Sequence, residues 1–299
     1  MSPNTPSATL AMFQNALGRT EQAEDVIDQT RMAQAGAMLG LGHDGITALA
    51  AMGAVLPPLF HLFFANNTAD AGDLDHDGHE HLGRFIPDVT KAGPFHRRMW
   101  AAGAITFAGM FQVGQAVQRI STLREVVRKD GRTGPLIFVT VDRMLETATG
   151  RITEERTIVY REKSTTPAPD SLPIAADDTL TPGHDWTPDY AQLFRFSALT
   201  WNAHRIHYDL SHCRADEGYP DIITHGPFTA LMLANMTPQG LNVLGHGAGA
   251  IPPLKSFRFR GTQALYANRT VTLALNTDGT KAEARNHHGQ QAMTAALTF

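Results

Sequence analysis

Proton-transfer and hydrogen-bonding side chains concentrate in one stretch of this 299-residue chain. Phe196–Asp209 carries Asn202, His204, His207, Tyr208 and Asp209, and His225-Gly226-Pro227 opens a strongly apolar run sixteen residues later. Imidazoles titrate closest to neutral pH, so a pair of histidines beside an amide, a phenol and a carboxylate suits acid–base chemistry on a small polar group. Three rival constellations are weaker. His76-Asp77-Gly78-His79-Glu80-His81 has metal-ligating types but no thiol or HExxH partner, and reads as a solvated loop. Ser197, His207 and Asp209 lack the GxSxG elbow of a hydrolase triad. Gly245-His246-Gly247-Ala248-Gly249 lacks the GxGxxG ending of a nucleotide loop and reads as a flexible connection.

The elements that must position these groups fall into a helix-then-meander order, repeated. The Phe196–Asp209 pattern suits neither a long amphipathic helix nor a plain strand, and predicts a short helical or irregular segment facing a cleft. Upstream, apolar residues from Val26 to Leu41 recur at helical spacing, so Glu21–Ala51 is expected to be helical, and Asn66–Asp88 to be a long loop. Strands are predicted over Ile105–Val117, Arg119–Lys129, Pro135–Leu145 and Thr153–Arg161. After a proline-rich linker comes an apolar helix from Pro227 to about Met236, then strands Lys255–Thr262, Arg269–Asn276, Lys281–Asn286 and Gln291–Phe299, with turns at Asp278-Gly279 and His288-Gly289. Met110–Val117 parallels Ala264–Val271 in apolar pattern and turn residue, which implies an internal repeat. The expected class is α+β, with units at 1–163 and 186–299 joined by a linker at 164–185.

Composition narrows the partners. With 42% hydrophobic and 18% charged residues the chain is ordinary globular material. A net charge of −4 and a pI near 6.4 give no reason to expect nucleic acid or an anionic membrane. The single cysteine, Cys213, fits a reducing compartment, and the N-terminus shows no secretory or organellar signal, so a cytoplasmic location is expected. Gly45–Ala65 is the one apolar stretch long enough to consider for a membrane, but Pro57-Pro58 break it, and a buried helix ending near the prolines is expected instead.

Leu193–Asp209 with His225-Gly226-Pro227 resembles the MaoC-like hydratases and dehydratases of the hotdog fold. Leu56–His61, Arg97–Ala101 with Gly103, Gly134–Val141 and Ile158–Glu162 resemble its tandem double-hotdog group, which includes mesaconyl-C4-CoA hydratase, itaconyl-CoA hydratase and the type 2 3-hydroxyacyl-thioester dehydratases. The resemblance implies two hotdog units packed sheet to sheet, each a curved antiparallel sheet around a central helix. It also implies hydration of an enoyl-CoA in the second unit, while the first shapes the acyl pocket. His207 falls on the family's histidine as general base. Asn202 falls where single-unit relatives have Asp, and would hold water or substrate by hydrogen bonds. The Gly226 N–H, at a helix start, would meet the thioester oxygen. His204 is either a helper or an exposed neighbour.

The substrate implied is a short branched dicarboxylic acyl-CoA such as mesaconyl-C4-CoA or itaconyl-CoA, giving citramalyl-CoA. The alternatives are a dehydratase of 3-hydroxyacyl-ACP or longer acyl-CoA chains, and a non-catalytic acyl-thioester binding subunit. No metal or redox cofactor is implied, coenzyme A being part of the substrate. Lys255, Arg258 and Arg260 alternate with Phe257 and Phe259, so that face either meets the coenzyme A phosphates or is simply solvated. Arg97 and Arg98 are candidates for a substrate carboxylate. A tandem chain is a pseudo-dimer already, either monomeric or paired again as a homodimer.

Overall fold

Alternation of side chains along the strands and one helix apolar on every face set this architecture. The computed structural model describes residues 6–80, 85–87, 95, 97–131, 134–162, 167–237, 240–244 and 253–299; His81, the start of the linker at 163–166 and Gly245–Gly249 lie outside them. In chain order the first half comprises α1 (Pro6–Gln14), β1 (Thr20–Val26), α2 (Gln29–Met38), α3 (Gly42–Ala50), a 3-10 turn at Phe60–Phe63, and strands β2 (Arg97–Gly109), β3 (Ala116–Gly131), β4 (Gly134–Glu146) and β5 (Gly150–Arg161). The second half comprises β6 (Thr181–Trp186), α4 (Tyr190–Leu199), a 3-10 turn at Arg205–His207, α5 (Leu210–Ala215), α6 (Gly226–Ala234), the short pair β7 (Met236–Thr237) and β8 (Gly240–Leu241), then β9 (Ser256–Gly261), β10 (Val271–Leu275), β11 (Lys281–Arg285) and β12 (Gln291–Thr298).

The ten longer strands form one antiparallel sheet in the order β1-β3-β4-β5-β2-β9-β12-β11-β10-β6. Each half therefore has the same topology, and the halves meet edge to edge where β2 pairs with β9, from Ala102 opposite Arg260 to Thr106 opposite Ser256. This is the expected tandem hotdog of α+β class, with one correction: the two sheets are continuous and do not stack on each other. Three local expectations also change. Thr20–Val26 is an edge strand, because its exposed and half-buried residues alternate and all seven pair with β3. The strand expected at Ile105–Val117 starts at Arg97 and ends at Gly109, the chain then bending through Gly114 at φ 96°. Thr181–Trp186, expected at the end of the linker, is the other edge strand, pairing with β10.

The internal repeat is visible atom by atom. Gln112 bridges Val55 as Tyr266 bridges Ile223, and the turn residues that follow, Gly114 and Asn268, both have left-handed φ. With Gln112 matched to Tyr266, Pro57-Pro58 occupy the positions of His225-Gly226. The consequences differ sharply. In the second half, α6 runs nine residues with Phe228 to Ala234 all buried, as a helix hydrophobic all round must be. In the first half, Leu59 turns left-handed (φ 66°) and only the four-residue turn Phe60–Phe63 follows. In the second half Phe228 stacks on Phe196 at 4.5 Å and meets Trp186 edge-on, and Phe196 against Phe63 ties this core to the first half. Among the described residues no helix is long and apolar enough to cross a membrane.

Because Phe228 is fully buried between Phe196 and Trp186, Phe228→Ala should lose about 3–5 kcal/mol of stability in urea unfolding, the usual cost of a large core cavity.

Candidate active site

The polar stretch is built off the end of α4. Asp189 caps that helix by accepting the Gln192 N–H at 2.7 Å. After Leu199 the chain turns through Trp201 in the left-handed region, and the Asn202 N–H donates to the Ser197 carbonyl at 2.9 Å. The Asn202 side-chain oxygen accepts the His204 N–H at 3.0 Å, which fixes that end of the amide and leaves its NH2 as the free end. Asp209 begins α5 by accepting the His212 N–H at 2.9 Å and pairs with Arg205 at 2.7 Å, so its role is to hold the segment.

His207 is 7% exposed, and its Nδ1 lies 2.8 Å from the Ile223 carbonyl. A carbonyl only accepts, so Nδ1 carries the proton and Nε2 presents a lone pair. Burial pushes the ring's pKa down to about 4, leaving it neutral at pH 7. It stacks on His225 with ring centroids 3.6 Å apart. His225 is fully buried and shares a 2.8 Å hydrogen bond with the Ser197 hydroxyl. Ser197 thus pairs with His225 and Asp209 with Arg205; the triad of Ser197, His207 and Asp209 is not assembled. Gly226, next in the chain, is the first residue of α6, where an N–H has no acceptor within the helix.

The loop before β2 is part of this site, which the sequence expectation of a solvated loop missed. Asp77 is 5% exposed and accepts from both His79 Nδ1 and the His79 N–H at 2.8 Å. The Asp77 carbonyl accepts the Arg205 N–H at 2.8 Å, and Arg205 also donates to the His76 carbonyl at 2.8 Å. At Gly78 the backbone has φ +84°, and a Cβ there would lie 1.9 Å from the Ala203 carbonyl oxygen, so only glycine lets the loop seat on the Asn202–His207 segment. The His79 ring packs 3.7 Å from that of His204, which is buried and 5.5 Å from His207. His204 is therefore no exposed neighbour. Burial holds the His79, His204 and His225 rings well below the usual imidazole value.

A cavity of about 630 Å³ joins these residues. Asn202 lines it directly. His207 and Gly226 are not among its lining residues, but their chain neighbours Tyr208 and Pro227 are. Ser197 lines it from the same half, and the first half contributes His79, Trp100, Arg98, Arg119, Arg143 and Arg156 with Glu21 and Glu80. Of these arginines only Arg98 stands out in the sequence, because the strands that carry them pair only in the folded sheet.

The other expected binding residues are placed elsewhere. Arg97 is 5% exposed, with Nε 2.8 Å from Glu217 and its guanidinium over the Tyr219 ring, so it clamps the strand to the Glu217 loop. Arg258 and Arg260 are exposed on the face of the sheet opposite the buried Phe257 and Phe259, Lys255 is exposed just before the strand, and none of the three lines the cavity. Asp77, His79 and His204 bring ligand atoms within 4.8 Å of one another, as do the exposed Asp170, His287 and His288. In the first group Asp77 and His79 are hydrogen-bonded to each other through the atoms an ion would use.

The tandem hotdog sheet, with an amide lining the cavity and a neutral histidine and a helix start adjacent in the chain to residues that line it, fits the class of the MaoC-like hydratases and dehydratases. The sequence profile of the hydroxyacyl-thioester dehydratase type 2 family matches residues 59–267. The chain belongs to that family, a family of hydro-lyases. It is similar to a mesaconyl-C(4)-CoA hydratase of Chloroflexus aurantiacus, 36% identical over 94% of this chain and 95% of that one. A mitochondrial hydroxyacyl-thioester dehydratase type 2 of Schizosaccharomyces pombe is 25% identical over 75% of this chain and 79% of its own. Among solved structures, a conserved protein of Mycobacterium tuberculosis with a double hotdog fold superposes with a TM-score of 0.53, covering 96% of this chain and 98% of that one at 11% identity.

Two outcomes follow from this geometry. His61 and His207 both have pKa values near 4 when folded, against 6.5 when free. Above pH 6.5 both states are neutral; as pH falls below it the unfolded chain gains protons that the buried rings refuse. Each ring then costs the fold about 1.4 kcal/mol per pH unit down to about pH 4, so the melting temperature should fall steadily between pH 7 and pH 5, and a flat profile would contradict the burial. Gly78→Ala should unseat the loop, read as faster amide exchange at Asp77–Glu80 and Asn202–His207.

Proposed function

We propose that this hydro-lyase reversibly adds water to a short branched dicarboxylic enoyl-CoA, such as mesaconyl-C4-CoA or itaconyl-CoA, giving citramalyl-CoA. The reading rests on the His207 ring, held neutral with Nε2 unprotonated and next in the chain to Tyr208, which lines a cavity that Asn202 and four arginines also line. The 36% identical relative supports the same reading. The second unit, residues 186–299, supplies the chemistry, and the first, residues 1–163, shapes the acyl pocket.

Each atom then has a place. A water held by the Asn202 NH2 gives its proton to His207 Nε2 while its oxygen bonds to the β-carbon. With mesaconyl-C4-CoA, whose double bond is conjugated with the thioester, the electron pair of that bond moves toward the thioester, where the Gly226 N–H and the start of α6 meet the growing negative charge on oxygen. The imidazolium of His207 returns the proton to the α-carbon. During the step the buried cluster of His79, His204, His207 and His225 carries one positive charge, and Asp77, which accepts from His79, is the carboxylate that offsets it. These steps use only the chain's own groups, with coenzyme A arriving as part of the substrate.

A second reading, dehydration of longer 3-hydroxyacyl-ACP or acyl-CoA chains, has one observation in its favour. A separate cavity of about 460 Å³ lies beside Pro57-Pro58, walled by Leu56, Phe107, Phe111 and Leu254, and has the length-tolerant apolar character a longer chain needs.

The test is a spectrophotometric hydration assay on a panel of enoyl-CoAs. His207→Gln should lose at least about two orders of magnitude in kcat/KM, the usual scale for a general base; unchanged turnover would sink the assignment. Wild-type protein that binds acyl-CoA but hydrates no member of the panel would instead establish a binding module. Gly226→Ala should keep its stability, since the protein's nearest atoms would be 3.7 and 4.0 Å from the new methyl. Its kcat/KM should fall roughly tenfold or more as the methyl blocks approach of the thioester oxygen.

A further inference from the structure

The first half of the sheet carries a buried charged row where the second half carries its helix-packing floor. Across β3, β4 and β5 the residues Ser121, Arg143 and Glu154 are direct cross-strand partners. The bridges at Gln112 and Tyr266 set the repeat register, which matches these three to Leu275, Ala282 and Ala295, themselves cross-strand partners in β10, β11 and β12. Arg119 matches Leu273 in the same way. In the second half the apolar row lies under the buried helix α6. In the first half the helix is cut to the turn Phe60–Phe63, and the space above the row belongs to the 630 Å³ cavity that Asn202 and Pro227 also line.

Such a row is expensive unless something complements it. Ser121 is 1% exposed and its hydroxyl has no hydrogen-bond partner among the described residues. Arg143 is 6% exposed and reaches Glu154 only at 3.4 Å. Glu154 lies nearer Arg156, at 2.9 Å, whose guanidinium also covers the Trp100 ring. Burial raises the Glu154 pKa, but Arg156 and Arg143 outweigh it and keep this carboxylate charged. Arg119 is engaged by Glu21 at 3.1 Å and by Asn67. One carboxylate thus serves both Arg143 and Arg156, and among the described residues the four arginines at the cavity, Arg98, Arg119, Arg143 and Arg156, face three carboxylates, Glu21, Glu80 and Glu154, which leaves one positive charge in excess. A guanidinium with open donors in a low-dielectric site favours a bidentate carboxylate, with a serine hydroxyl as a further donor.

We propose that Arg143, with Ser121 and Arg119 beside it, receives the distal carboxylate of a dicarboxylic acyl thioester whose thioester end lies at Gly226. The site would read the substrate's far end with the first unit while the second performs the chemistry. This deepens the hydratase reading above and rests on it for the placement of the thioester.

Binding measured without turnover separates the two. Titration calorimetry would compare methylsuccinyl-CoA, a saturated dicarboxylic thioester, with 2-methylbutyryl-CoA, which lacks the distal carboxylate, and with free coenzyme A. Wild type should prefer the dicarboxylic ligand by about tenfold or more, the scale of hydrogen bonds to a charged group. Arg143→Gln should erase that preference and leave the other two ligands within about twofold. Ser121→Ala, which removes no charge and fits the same space, should reduce the preference about threefold or more and guards against misfolding of the arginine variant. No preference in wild type, a preference retained in both variants, or an equal loss for free coenzyme A, which would mean that the row reads a phosphate, would each overturn the proposal. Hydration of mesaconyl-CoA by wild type is scored separately and decides the hydratase reading alone.

Discussion

A helix that is apolar on all faces must be enclosed, and an apolar sheet must be covered; the two halves of this chain meet that constraint differently. In the second half Gly226-Pro227 open α6, and the helix fills the concave face completely. In the first half Pro58-Leu59 stand at the corresponding positions, Leu59 turns left-handed, and the chain makes only one turn before leaving. The uncovered floor cannot remain apolar and open to water without cost, and it carries Arg119, Ser121, Arg143 and Glu154. The asymmetry of the pseudo-dimer thus creates the cavity and gives it charge.

The same constraint governs the histidines. His79, His204, His207 and His225 pack ring against ring in a buried cluster with one carboxylate, Asp77, among them. Burial keeps them neutral, and neutrality gives His207 the tautomer with a free Nε2 that the Ile223 carbonyl selects. Here a carboxylate reaches the cluster from the other half of the chain, on a loop seated by Gly78.

Much of this was legible in the sequence where the signal is local. The turns at Asp278-Gly279 and His288-Gly289 mark β10 to β12, and the match of Met110–Val117 with Ala264–Val271 is borne out by equivalent bridges at Gln112 and Tyr266. Phe257 and Phe259 are buried and Arg258 and Arg260 exposed, as strand periodicity requires. What was hidden depends on pairing over long separations. β1 is strand only because β3 holds it; its own residues are polar. Arg143 and Glu154 are unremarkable charges until β4 and β5 place them side by side facing inward. Asp77 and His79 look like a solvated loop because their partners, Ala203 to Arg205, lie far along the chain. The sequence located the histidine and the amide, and the fold supplied their acid and the arginines.

On the proposed reading one cavity brings residues of the second half that carry out the hydration together with arginines of the first half that bind a carboxylate. A crystal structure with bound methylsuccinyl-CoA would show both contacts at once. The expected result is the thioester oxygen within hydrogen-bond distance of the Gly226 N–H and the distal carboxylate on Arg143. An acyl group lodged instead in the apolar cavity beside Pro57-Pro58 and His61, with nothing on Arg143, would contradict it.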